Sequence, residues 1–430
     1  MKTKVVYIFH SLILVGFLSC KKAFNPNLTT RATNYLAVDG AIISGDSTFI
    51  TLSRTTTLSD TTQKKVELKA VLSIEDDQSK LYGFAEKGKG IYTLGVTNFS
   101  SSRQYRLDIK TSDGKIYQSD FVPMKVTPPI DSIYFKENSD KTLLFYVNAH
   151  DGTNSTRYYR WDYKETWSYV PLYQAFYQYK NGQIVPIQPN TPDYINICYR
   201  TGLSNQIFVG SSSKLAQDVI SNQLLGGLIG GESEKIGHAY VMQLKQYALT
   251  QAGFEYYQNL KSNTEQLGSI FDAQPSIIKG NIHCVTSPSD VVMGFISVST
   301  TTTRQFNLHA NDIPVRVTDN TGTIEWKQYE YYSSYYYAPP DVDHCKFNTI
   351  TTTPYSTFAA RFTKIFARGD SVLISRDAYI QNDAPAANFL EPDRAIATGY
   401  IYYYAPKNCV DCRLKGGTNI KPSYFPAQAY

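Results

Sequence analysis

Apolar and polar residues alternate with period two from Tyr35 to Val122, the pattern of strands that bury one face. The clearest run is Lys65-Val66-Glu67-Leu68-Lys69-Ala70, continuing through Leu72 and Ile74. Tyr105, Leu107 and Ile109 alternate likewise. Asp113-Gly114 then supplies the positive backbone angles of a tight hairpin before Ile116 and Tyr117 start the return strand. Short strands separated by turn signals predict a small β-sandwich over residues 34–127. Pro123, Pro128 and Pro129 break the pattern, because proline removes a ladder donor and restricts the residue before it. A domain boundary is expected there.

A second β unit follows within residues 128–430. Leu143, Phe145 and Val147 alternate, Asp151-Gly152 marks a turn, and Tyr159, Trp161 and Tyr163 alternate on the way back. The texture then changes. A helical insertion is expected around residues 211–267, with one helix from Leu215 to Leu225 and a flexible glycine-rich loop from Gly226 to Gly231. No Gly-Lys-Ser/Thr ending follows those glycines, so they form no phosphate cradle. Val241 to Leu249 reads as a strand. Thr250 can cap a second helix with Phe254, Tyr257 and Leu260 on one stripe, packed on a sheet. Val291 to Val298, Arg304 to Leu308 and Tyr400 to Tyr404 resume strands that should complete or extend the second sandwich. The expected class is mainly β: an N-terminal β-sandwich, then an immunoglobulin- or fibronectin-like β-sandwich with helical insertions.

The first residues change the picture by adding an address. Met1-Lys2-Thr3-Lys4 is basic, Val5 to Leu18 is apolar, and Ser19-Cys20 closes the run, which together make a signal peptide over residues 1–19. The apolar run is broken by His10 and falls short of the roughly 18–20 residues of a spanning helix. Leu18-Ser19-Cys20 resembles a lipobox, which implies diacylglycerol on the Cys20 thiol and Cys20 as the mature N-terminus. Acyl chains contribute about 0.8 kcal/mol per buried methylene, so three of them anchor durably. Residues 20–33, with Asn25-Pro26-Asn27 and many threonines, read as a flexible tether.

Composition narrows the function. Charged residues make up 18% and the net charge is +5 without any basic block, which argues against a nucleic-acid surface. Thirty-five tyrosines and 21 phenylalanines suit half-buried pleated surfaces. Apart from Cys20 there are five cysteines, Cys198, Cys284, Cys345, Cys409 and Cys412. Cys409-Val410-Asp411-Cys412 with His283-Cys284 and His344-Cys345 could supply a zinc site. An oxidising envelope favours structural disulfides among Cys284, Cys345, Cys409 and Cys412 instead, pinning the C-terminal segment. Neither metal nor cofactor is expected.

Trp326 with Tyr329, Tyr331, Tyr332, Tyr335, Tyr336 and Tyr337 forms an aromatic stretch. It reads either as a hairpin packed on its own sheet or as rigid contact area for sugar, peptide or protein. No Gly-x-Ser-x-Gly elbow or His-Glu-x-x-His helix is present, and no catalytic residue can be assigned.

A resemblance enters at Gln251 to Ile282. Phe254-Glu255-Tyr256-Tyr257, Leu260-Lys261, Gly268-Ser269-Ile270-Phe271-Asp272 and Gly280-Asn281-Ile282 resemble a Bacteroidetes lipoprotein family known as domain of unknown function 4249. Asp39-Gly40, Pro128-Pro129-Ile130-Asp131-Ser132-Ile133, Val292-Met293-Gly294-Phe295 and Cys409-Val410-Asp411-Cys412 agree with it. The resemblance implies an accessory role in capture or uptake at the outer membrane, beside a TonB-dependent transporter. Lys21-Lys22-Ala23-Phe24 replaces the acidic run common after the lipidated cysteine of surface-displayed members, which leaves the membrane face open. The expected function is a lipid-anchored binding protein of the outer membrane. A surface hydrolase acting on glycan or peptide, and a structural or adhesive lipoprotein, are the alternatives.

Overall fold

A computed structural model describes residues 34–56, 65–139, 142–265 except 172, 182, 190, 230–232 and 237, then 278–309, 312, 315–318, 324–327, 348–351, 364, 366, 371–379 and 399–426. The strands are, in chain order, β1 (Leu36–Ile43), β2 (Thr48–Arg54), β3 (Val71–Asp76), β4 (Leu81–Gly83), β5 (Ala85–Gly88), β6 (Ile91–Leu94), β7 (Gln104–Lys110), β8 (Ile116–Ser119) and β9 (Val122–Pro123). There follow β10 (Ile130–Glu137), β11 (Thr142–His150), β12 (Tyr158–Tyr169), β13 (Tyr177–Lys180), β14 (Gln183–Pro186), β15 (Cys198–Leu203), β16 (Phe208–Ser211), β17 (Val219–Ile229) and β18 (Ala239–Ala248). Helix α1 (Gln251–Glu265) comes next, then β19 (Ile282–Cys284), β20 (Val292–Met293), β21 (Val298–Ser299) and β22 (Thr301–His309). The last are β23 (Val315–Thr318), β24 (Ile324–Lys327), β25 (Asn348–Thr351), β26 (Ser371–Tyr379), β27 (Gly399–Pro406) and the short α2 (Lys407–Val410).

The mainly β class holds. The first sandwich sets β20-β1-β2-β6-β5 against β19-β8-β7-β3-β4, with β21 on β1 and β9 on β7. Tyr105, Leu107 and Ile109 bury one face of β7 as their spacing requires, and Gly114 takes φ 85° in the hairpin to β8. Lys65 to Ala70 departs from the expected strand. Val66 makes only an isolated bridge to Ser53, Lys69 adopts φ 58° and Leu68 is exposed. Arg54 holds this segment through the Glu67 carboxylate at 2.6 Å, beside two backbone hydrogen bonds, from Arg54 N to the Lys65 carbonyl and from Glu67 N to the Leu52 carbonyl.

The sandwich is completed from far along the chain. β20 and β21 pair parallel with β1, and β19 pairs antiparallel with β8. Ile282, Cys284, Val292, Ile296 and Val298 therefore belong to the first core. The expectation that Val291 to Val298 would join the second sandwich is corrected, and residues 128–430 are not one unbroken domain. Parallel pairing between distant segments needs no tight turn, so no local signal announces it.

The second sandwich packs β10-β11-β17 against β15-β12-β18-β22, with β16 on β12. Leu143, Phe145, Val147, Tyr159 and Trp161 fill its core. The helix expected over Leu215 to Leu225 is instead a strand, β17, paired with β11. Two register shifts and φ 56° at Asn222 disturb its alternation, which hides it from a period-two reading. Helix α1 stands where expected, with the Thr250 hydroxyl accepting from Gly253 N at 3.2 Å. Among the described residues no helix is long and apolar enough to cross a membrane.

Candidate functional site

Strand β12 points Tyr159, Trp161, Tyr163, Glu165, Trp167 and Tyr169 along one face. Tyr159 and Trp161 seal the core, and a carboxylate then appears where an apolar side chain is due. Glu165 is only 8% exposed and accepts from Lys235 Nζ at 2.6 Å and the Tyr240 hydroxyl at 3.1 Å. Gly202 lies opposite Glu165, where any side chain would crowd the carboxylate. Burial, with Glu165 beside it, raises the Tyr240 phenol far above its ordinary value. The Tyr163 phenol is pushed up to about 12, again by burial first and Glu165 second.

The neighbouring position extends the cluster. Trp167 has Arg200 opposite it on one side and Tyr240 on the other. Arg200 Nη1 donates to Glu234 Oε2 at 3.0 Å and its guanidinium stands 5.0 Å from the Tyr169 ring. The Lys235 ammonium lies 5.3 Å from the Trp167 ring. Trp167 Nε1 and Glu234 Oε1 are buried without a hydrogen-bond partner. A disulfide between Cys198 and Cys412 closes one wall, where the Tyr169 hydroxyl donates to the Cys412 carbonyl at 2.6 Å. The result is a charge-balanced, aromatic-walled end of the sandwich, able to hold a polar ligand or to use Glu165 as a general acid or base.

A second cluster sits where the two sandwiches meet. The Arg160 guanidinium lies 4.2 Å from the Tyr247 ring and 4.9 Å from the Tyr257 ring, and donates to Asp162 at 3.3 Å. Tyr256 of α1 stacks on Phe295 of the first sandwich at 5.4 Å, while Phe254 meets Tyr158 of the second at 5.2 Å. Burial first, then Tyr257 and Asp39, push the Tyr256 phenol up to about 12. A methyl group on Gly280 would overlap the Gly294 carbonyl, and one on Gly294, at φ 130°, would overlap the Val38 carbonyl. Ala41 and Ile43 of β1 pack on Tyr247, and Lys245 pairs with Asp46 at 3.0 Å.

A family model described as domain of unknown function, DUF4249, matches residues 21–305, more than half of the chain. The chain belongs to this family. No curated protein matches it significantly. Among solved structures, a cytokine receptor complex is 8% identical over 49% of this chain and 90% of its own, with a TM-score of 0.17. The chicken CNTN1 FN1–FN3 domains are 13% identical over 52% of this chain and 65% of theirs, with a TM-score of 0.14. For this DUF4249 chain, four of the segments that carried the resemblance, Asp39-Gly40, Phe254 to Tyr257, Gly280-Asn281-Ile282 and Val292 to Phe295, gather at or beside the seam, whereas Cys409 to Cys412 lies in the C-terminal segment and Gly268 to Asp272 lies outside the described residues.

The other sequence-based candidates fare differently. Cys412 pairs with Cys198, outside the set expected to bond, and the assignment of Cys284 to a disulfide is corrected: it is a buried free thiol in the first core. Cys409 is disulfide-bonded, but Cys345 lies outside the described residues. Cys20 lies outside them too, as do Tyr329, Tyr331, Tyr332, Tyr335, Tyr336 and Tyr337. Trp326 sits in β24, opposite Arg316 of β23. Among the described residues no three His, Cys, Asp or Glu side chains gather to hold a metal. Glu165, Trp167, Arg200, Glu234 and Lys235 escaped the sequence reading. Its available signal was a glutamate in the inward phase of an aromatic strand.

Proposed function

We propose that this DUF4249 protein is an accessory protein of the outer membrane, lipid-anchored through Cys20, that holds cargo for a TonB-dependent transporter or docks on it. The lipobox and the family resemblance support the address and the partner. The observation that carries a ligand-holding role is the end of the second sandwich, where four charges cancel around Trp167 while a donor and an acceptor stay unmatched. Affinity purification of the full chain from detergent-solubilised membranes tests the reading: a β-barrel transporter should co-purify. Fatty-acid labelling should vanish in Cys20→Ala. A chain that never carries a transporter with it, or that is unacylated, sinks the proposal.

One observation favours a second reading, a surface hydrolase acting on glycan or peptide. Glu165 is a buried carboxylate flanked by an amine and a phenol, a grouping suited to proton transfer. Glycan or peptide turnover lost in Glu165→Gln, with folding kept, would select it; no turnover by the unmodified chain would dismiss it.

A further inference from the structure

Trp167 Nε1 is a donor and Glu234 Oε1 an acceptor; both are buried and neither is matched. Native folds leave few such atoms unmatched, and each one costs stability. The fold does not need either atom in that state. Arg200 already fixes Glu234 through its other oxygen, and the Trp167 ring packs beside Tyr169 and the Cys198–Cys412 disulfide without using its N–H.

The surroundings decide what could complete the pair. Glu165 is neutralised by Lys235 and Glu234 by Arg200, so an ionic ligand would gain no net attraction and would have to compete with existing pairs. A hydroxyl group is donor and acceptor at once. A ring carrying several of them, with C–H faces to lay on an aromatic wall, offers a partner of either kind to the orphaned atoms and brings no charge of its own to the paired ones.

We propose that this end of the second sandwich binds a neutral polyhydroxylated ligand, a sugar ring, with one hydroxyl accepting from Trp167 Nε1 and another donating to Glu234 Oε1. Both atoms are closed to solvent here. Entry requires the Lys235 side chain, 32% exposed with its ammonium over the Trp167 ring, to turn away and give up its bond to Glu165, which keeps the Tyr240 hydroxyl as a donor. The inference deepens the cargo reading and rests on it by naming the class of cargo.

The experiment titrates the full chain in detergent with glucose, galactose and N-acetylglucosamine, and with glucuronate and glucosamine as charged comparators. Calorimetry and tryptophan fluorescence are the readouts. At least one neutral sugar should bind saturably and better than either charged one. Trp167→Phe keeps a ring but loses the donor, and should weaken binding about tenfold, as should Glu234→Gln, which turns a donor toward the ligand. Circular dichroism checks the fold of each variant; if either unfolds, the titration of the unmodified chain decides alone. No saturable binding of a neutral sugar, preference for a charged one, or equal affinity in folded Trp167→Phe overturns the proposal. Sugar binding by a chain that carries no transporter supports this site while sinking transporter docking. A transporter complex that binds no sugar does the reverse.

Discussion

Glu165 stands in the inward phase of β12, and its charge is tolerated because Lys235 and Tyr240 both donate to it. Removing the carboxylate leaves a partly exposed ammonium and a buried phenol without their acceptor. Glu165→Ala should therefore lower stability by about 1–3 kcal/mol, read from urea midpoints. Gly280 makes a steric argument instead. A methyl group there would run into the Gly294 backbone, which no rotamer can relieve, so Gly280→Ala should destabilise by about 1–3 kcal/mol in the same assay. His238 adds a dependence on pH. Burial first, and His309 second, hold its pKa below 6.5, while its Nδ1 lies 2.8 Å from the Ser168 hydroxyl. The folded chain then binds a proton less readily than the unfolded one, so stability is lost as pH falls below about 6.5 towards the depressed value. His238→Gln should flatten that acid limb in unfolding midpoints taken across pH.

At the scale of elements, the C-terminal segment shows what long-range covalent ties add. Cys412 bonds Cys198 across 214 residues, Thr418 exchanges backbone hydrogen bonds with Tyr199 at 2.7 and 3.0 Å, and Phe425 packs edge-on to Tyr199. Cys198→Ser should cost about 2–4 kcal/mol and make residues after β27 the first cut by protease; unchanged proteolysis would show that the non-covalent contacts suffice. These elements also mark how far the sequence could be read. β7, β11, β12 and α1 were legible because each carries its own period and its own turn or cap. β17 was not, because a positive φ and register shifts spoil its alternation. The Cys198–Cys412 pair was beyond reach, since spacing carries no information on which distant thiols meet. Of the candidate site only Glu165 and Trp167 lie in the alternating pattern of β12; Arg200, Glu234 and Lys235 come from elements that pairing alone brings together.

For the whole molecule the seam makes two sandwiches into one mechanical unit. The chain leaves the first sandwich at β9, builds most of the second, crosses α1, and returns to close the first with β19, β20 and β21. Each sandwich thus needs the other to bring its pieces together. Tyr247 on Ala41 and Ile43 and Tyr256 on Phe295 supply contacts across the join, and Arg160 braces them from the second sandwich by lying on Tyr247 and on Tyr257 of α1, a cation on an aromatic face contributing about 1–2 kcal/mol when desolvated. Unfolding should then be coupled. Trp161 and Trp167 pack in the second sandwich, so their fluorescence follows that sandwich while circular dichroism follows both. In the unmodified chain the two transitions in urea should coincide. In Arg160→Ala combined with Tyr256→Ala they should separate, with the fluorescence midpoint displaced from that of circular dichroism. Separate transitions already in the unmodified chain would mean that strand exchange links the sandwiches without coupling their stability.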